Sequence, residues 1–149
     1  MLLAYNDLAN IVSKKQGVQG DFFFQTVTDM ANVNQPKGLF IPINEDSGEL
    51  AEAITHGAIA TIWDSEKKLP SYTPNHFPVF FTNNLTDTIA RLLQCYIEKL
   101  NGETNKQMEI TNFNFLNKKL LNKNNETYDI AVMLNKIKEL QQNNTKRRG

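Results

Sequence analysis

Cysteine is almost missing from this sequence: Cys95 is the single thiol in 149 residues. No disulfide can form within the chain, and the composition suits a reducing compartment. Long hydrophobic runs are missing too, since none approaches the ~20 apolar residues of a membrane-spanning helix. Met1-Leu2-Leu3-Ala4 has neither the basic start nor the extended apolar run of a secretory leader. The expectation is therefore a cytoplasmic chain with no membrane contact. A surplus of charge is lacking as well, with sixteen Lys and Arg against sixteen Asp and Glu. Nucleic-acid affinity rests on a basic surface, so no nucleic-acid partner is expected. Histidine is scarce: His56 and His76 stand in different segments without Cys or carboxylates at ligand spacing. No metal site and no cofactor are expected.

What is present is enough apolar sequence for one core, at 40% of residues, with a mean hydropathy of -0.45 that places polar segments outside it. The chain is organised around Pro36 to Trp63, which reads strand, loop, helix, strand. Leu39 to Ile43 is an apolar run too short for a helix. Asp46, with Glu49 three residues on, forms a start signal like a capping box. Leu50, Ala51, Ala53 and Ile54 then share a helical face, and Gly57 suits the left-handed position that ends a helix. Ala58 to Trp63 is a second strand rich in β-branched residues. Two strands joined through a helix predict a parallel pair, the kernel of an α/β domain with a small Rossmann-like sheet and flanking helices.

Upstream, Leu3, Leu8, Ile11 and Val12 predict a short amphipathic helix stopped by Lys14, Lys15 and Gly17, and Phe22 to Thr28 predicts a strand. Asp29 to Gly38 reads as a loop. Downstream, Asp64 to His76 is a polar connection, and Asp64 and Glu66 follow a strand end as solvated loop charges. Pro78 to Thr82 is a strand with proline at its tolerated first position. Asn83-Asn84 caps the longest helix, whose stripe of Leu85, Ile89, Leu92, Leu93, Tyr96, Ile97 and Leu100 ends at Asn101-Gly102. Cys95 borders that stripe as a small, partly buried hydrophobe. Trp63 reads as core or pocket wall, and His56 as a polar residue favoured at a helix C-terminus.

Residues 1–102 thus form the expected α/β domain, and 103–149 an extension. Met108, Ile110, Phe113 and Phe115 predict a strand in it, and Thr127 to Gln141 a helix with Ile130, Met133, Leu134, Ile137 and Leu140 along one side. Asn143 to Gly149, which includes Lys146-Arg147-Arg148, is expected to be a disordered basic tail.

From about Asp21 to Leu100 the order of segments resembles the N-terminal domain of the Mur ligase family, above all the ligases that add the third residue or the terminal dipeptide to a cell-wall precursor. The likeness is carried by Thr28-Asp29-Met30-Ala31, Pro36-Lys37-Gly38-Leu39-Phe40-Ile41-Pro42, and Leu50-Ala51-Glu52-Ala53-Ile54-Thr55-His56-Gly57-Ala58-Ile59-Ala60. In that family the domain holds the uridine end of a UDP-muramyl peptide. The resemblance implies a ligand region at Thr28, Asp29, Asn44, Asp46 and Ser47. Met30-Ala31 stands where the family has Ser-Arg, so a hydroxyl and a guanidinium are missing. Ser47-Gly48-Glu49 stands for Asp-Gly-His, which sets a carboxylate where a diphosphate would approach, a repulsive pairing. The one string near a phosphate loop, Gly102 to Gln107, has no glycine before Lys106 and no hydroxyl after it, and no segment reads as an ATP-binding domain.

These readings converge on a stand-alone, non-catalytic module of this kind, an interaction or regulatory protein linked to peptidoglycan precursor synthesis. A small-molecule module that still binds a UDP-sugar or another nucleotide is the alternative, and a partial ligase completed by a partner chain is the third reading. The stripe from Ile130 to Leu140 must be buried, because an isolated helix of that length is marginal in water. It either docks on its own domain or supplies a surface for a homodimer or another protein partner.

Overall fold

A computed structural model of the chain describes residues 2–102, 110–115, 133–137 and 139. The order is β1 (Leu3–Ala4), α1 (Tyr5–Ile11), β2 (Lys15–Gln16), β3 (Phe23–Phe24), β4 (Thr26–Thr28), β5 (Gly38–Phe40), a 3-10 turn (Glu45–Ser47), α2 (Leu50–Thr55), β6 (Ala58–Asp64), β7 (Val79–Thr82), α3 (Leu85–Gly102) and β8 (Asn112–Asn114). Residues 133–137 are also helical. The chain is α/β. A mixed six-stranded sheet runs β2-β7-β6-β5-β4-β8, parallel throughout except for β2 at one edge, and β1 with β3 forms a separate antiparallel pair.

Alternation along the strands divides the apolar side chains between two cores. In β7, Phe80 points into the larger core with Leu39, Ile62, Leu8, Leu92 and Tyr96, which come from neighbouring strands, α1 and α3. Val79 points the other way and meets Phe40, Leu50 and Ala53, so α2 covers the second face. The stripe on α3 behaves as its spacing predicts: Ile89, Leu92, Leu93, Tyr96, Ile97 and Leu100 are buried. Asn84 caps this helix by accepting the Asp87 amide at 3.0 Å.

The predicted strand–helix–strand unit is present as β5, α2 and β6, with β5 and β6 parallel. Gly57 ends the helix at φ +116°, and a Cβ there would lie 2.7 Å from the Gln35 carbonyl oxygen. Only glycine fits both the backbone angle and that close approach. The first strand of the unit is shorter than expected, Gly38–Phe40 rather than Leu39 to Ile43. Pro42, with no amide hydrogen, cannot extend the ladder.

Three expectations need correction. Leu3 is not on the first helix: it lies in β1, paired with Phe24, and α1 begins at Tyr5. Phe22 to Thr28 is not one strand: Phe23–Phe24 pairs with Leu3–Ala4, whereas Thr26–Thr28 lies in the main sheet between β5 and β8. The chain changes sheets at Gln25, whose amide and carbonyl already bond to Lys37 and Asn112 of the main sheet. Asp46 is not the cap of α2 either. Asn44 caps the 3-10 turn by accepting the Asp46 amide at 2.9 Å, and α2 begins after Glu49 without a side-chain cap.

The strand expected between Met108 and Phe115 exists as Asn112–Asn114 and is the edge strand beside β4, while Met108 lies outside the described residues. Phe115, Met133, Leu134 and Ile137 are buried within the larger core. Ile130, Leu140 and the basic tail lie outside the described residues. Among the described residues no helix is long and apolar enough to cross a membrane.

Candidate functional site

Parallel strands collect their carboxyl ends along one edge, where open α/β sheets bind their ligands. Here β4 leads into the loop 29–37 and β5 into the turn 44–48, and the two segments are tied together. The Ala31 amide donates to the Ser47 carbonyl at 2.7 Å, and the Ile41 amide to the Thr28 carbonyl at 2.9 Å. Thr28, Asp29, Asn44, Asp46 and Ser47 therefore do gather on this edge, although residues 28–29 and 44–47 are separated by a whole strand.

Their side chains differ in availability. Thr28, Asp29 and Ser47 are buried, at 0%, 0% and 1% exposure, while Asn44 is half-buried and Asp46 exposed. The Ser47 hydroxyl accepts the amides of Ile43 and Asn44 at 3.0 and 3.4 Å. The Thr28 hydroxyl accepts the Met30 amide at 3.1 Å, and Asn44 Oδ1 is committed to Asp46. The Thr28 and Ser47 hydroxyls and Asn44 Oδ1 thus hold the loops in shape. Gly48 joins this arrangement at φ +91°, where an added Cβ would sit 2.9 Å from Ala31 Cβ.

Gln35 has the largest organising role, and the sequence did not single it out. Its side-chain NH2 donates to the carbonyls of Met30, Ala31 and Val33 at 3.0, 3.4 and 3.2 Å. Its backbone amide donates to His56 at 2.9 Å, which ties the loop 29–37 to the end of α2. The Gln35 Oε1 is buried and has no hydrogen-bond partner among the described residues. Reversing the amide would aim oxygen at three carbonyl oxygens, so the orientation is dictated by its neighbours. A glutamine inside a loop carries no periodic signal, which is why reading the sequence passes over it.

The remaining expectations have local roles. The His56 Nδ1 lies 2.8 Å from the Glu52 carbonyl at the end of α2. Asp64 Oδ1 accepts the Glu66 amide at 3.0 Å in an exposed turn. Trp63 packs at the border of the smaller core, and its indole NH donates to the Lys67 carbonyl at 3.3 Å. Among the described residues no group of three or more His, Cys, Asp or Glu side chains is placed to hold a metal ion. Cys95 is partly buried, and burial first and the Asp7 carboxylate second push its thiol pKa up, opposed by Lys99. Neither a scan against protein-family models nor a search of curated proteins returns a match to this chain.

Proposed function

We propose that the chain is a non-catalytic α/β module similar to the N-terminal domain of the Mur ligases, working as an interaction or regulatory protein of peptidoglycan precursor synthesis. The observation that carries this reading is the commitment of the Ser47 hydroxyl to two backbone amides of its own turn, beside an Asn44 carbonyl oxygen committed to a third. A loop whose polar groups are already satisfied gains little from a nucleotide, because each contact displaces an existing hydrogen bond. Met30 and Ala31, where a hydroxyl and a guanidinium stand in the ligases, support the same reading.

A panel of UDP, UDP-sugars and ATP in thermal unfolding tests it. A ligand present at a hundred times its dissociation constant adds about 2.7 kcal/mol of stability. No shift with any member beyond that of inorganic phosphate at the same concentration, and no metal-dependent release of phosphate from ATP above a heat-inactivated control, is the expected result. A saturable shift with a UDP-sugar transfers the edge at Thr28, Asp29, Asn44, Asp46 and Ser47 to the second reading, a UDP-sugar-binding module. That reading draws on the convergence of these residues at the carboxyl ends of β4 and β5. Phosphate release would point to the third, a partial ligase.

A further inference from the structure

A cavity of about 410 Å3 opens at the carboxyl ends of β6 and β7, and none of residues 28–48 lines it. Its walls come from three parts of the chain: Lys14 after α1, Ser65 and Thr82 at the ends of β6 and β7, and Asp87 and Arg91 on the first turns of α3. The antiparallel pairing of β2 with β7 brings Lys14 there. The Lys14 carbonyl accepts the Phe81 amide at 2.8 Å, and its ammonium lies 5.7 Å from the centre of the Phe81 ring. Arg91 directs Nε to Asp87 Oδ2 at 3.0 Å, a pair that does not engage the outer nitrogens of its guanidinium, and both residues line the cavity. Among the described residues the Lys14 ammonium makes no ion pair. The hydroxyls of Thr82 and Thr88 lie 2.7 Å apart in the wall.

The lining thus has two cations against one carboxylate, together with hydroxyl and amide groups. We propose that this cavity binds a small phosphorylated metabolite, with the phosphate between Lys14 and Arg91 and its hydroxyl-bearing body against Ser65 and Asn83. Guanidinium and ammonium groups are the side chains that recognise phosphate. Two cations suit a dianion better than a single carboxylate, and the positive end of the α3 dipole acts in the same sense. The volume falls within the roughly 300–1,000 Å3 of small-molecule sites. The position, at the carboxyl edge of parallel strands, is where such folds receive ligands. This inference stands apart from the reading of the Asp29 and Ser47 loops, since the two regions share no residue.

Backbone amide NMR of the full chain tests it, with inorganic phosphate and glucose 6-phosphate as probes and glucose and potassium chloride, at matched ionic strength, as controls. The expected result is a saturable shift of the Lys14, Ser65, Thr82, Asn83 and Arg91 amides in the millimolar range, stronger for glucose 6-phosphate and missing with both controls. The double variant Lys14→Gln, Arg91→Gln should weaken binding at least ~10-fold, since each charge-assisted contact is worth about that factor or more. Both side chains are exposed, so its melting temperature should match that of the parent. Arg91→Lys should bind with intermediate affinity. The proposal is overturned by an absence of saturable shifts, by an equal response to potassium chloride, or by a double variant that binds like the parent. Shifts confined to residues 28–48 would overturn it too and assign the ligand to the neighbouring loops.

Discussion

The Tyr96 hydroxyl oxygen accepts the Thr111 amide at 2.8 Å, and the Thr111 hydroxyl accepts the Leu3 amide and donates to the Phe24 carbonyl, both at 2.7 Å. All of these contacts are buried. One threonine therefore joins α3, the β1–β3 pair and the segment that leads into β8. Thr111→Val keeps the shape but leaves the Leu3 amide and the Phe24 carbonyl without this partner, at about 1–3 kcal/mol for each orphaned group. Thr111→Ser keeps the hydroxyl and should retain most of the stability. Urea midpoints of the two variants check this; a valine variant as stable as the serine one would remove the hydroxyl from the account.

Gly57→Val should destabilise the chain by about 1–3 kcal/mol, the scale of strain for a side chain held at an unfavourable backbone angle. Gly57 sits at φ +116°, and an added Cβ would press on the Gln35 backbone. Because Gln35 also organises residues 30–33, the damage should spread into that loop. Faster amide hydrogen exchange at Ala31 and Gln35, along with a lower denaturation midpoint, is the expected signature. An unchanged midpoint would count against this placement of the turn.

Asp7 links helix capping to thiol chemistry. Its Oδ2 accepts the Ala4 amide at 2.8 Å and pairs with Lys99 Nζ at 2.7 Å, while its charge helps to raise the Cys95 pKa, second to burial. A thiol pKa raised by folding favours the protonated form in the native state. Its contribution to stability is complete below the unfolded-state pKa and is lost as the pH rises through the folded-state value. Alkylation of Cys95 should thus have its pH midpoint higher in the native chain than in urea. Asp7→Asn should lower the native midpoint without bringing it to the unfolded value, since burial remains. Coincident curves for native and unfolded chain would sink the argument.

The parts of the fold that were readable are those whose signal is local. The α3 stripe, its asparagine cap and the glycine after α2 each depend on neighbours within a few turns, and they lie where the spacing put them. The misread parts depend on distant partners. Phe22 to Thr28 has strand composition throughout, and only the competing attachments of Leu3 on one side and Gly38 on the other divide it between two sheets. Asn44 and Asp46 are both competent caps, and composition cannot tell which turn each one serves. The resemblance places Ser47 in a ligand region, but its burial and its tie to the Ala31 amide across the loop are not local signals. Lys14 reads in sequence as a helix stop, and its place in a cavity wall follows from a two-residue strand too short to show a period.

Ile137→Glu separates the two ways of burying the C-terminal stripe. Ile137 is 2% exposed and Leu134 5%, and both belong to the same core as Tyr96 and Phe115, so the chain itself covers this part of the stripe. A carboxylate at position 137 must then either stay protonated inside an apolar core or drive the helix off it, and both outcomes cost several kcal/mol. The expected result is a large drop in the denaturation midpoint, with the mass by light scattering equal to that of the parent. Asn135 is exposed and supplies the control, since Asn135→Glu adds the same charge on the outer side of the helix and should leave stability within about 0.5 kcal/mol. Pairing in trans predicts something else: a parent dimer that dissociates in Ile137→Glu while the sheet stays folded. A variant equal to the parent in both mass and stability would exclude both arrangements, because a buried isoleucine cannot become a glutamate without a measurable penalty.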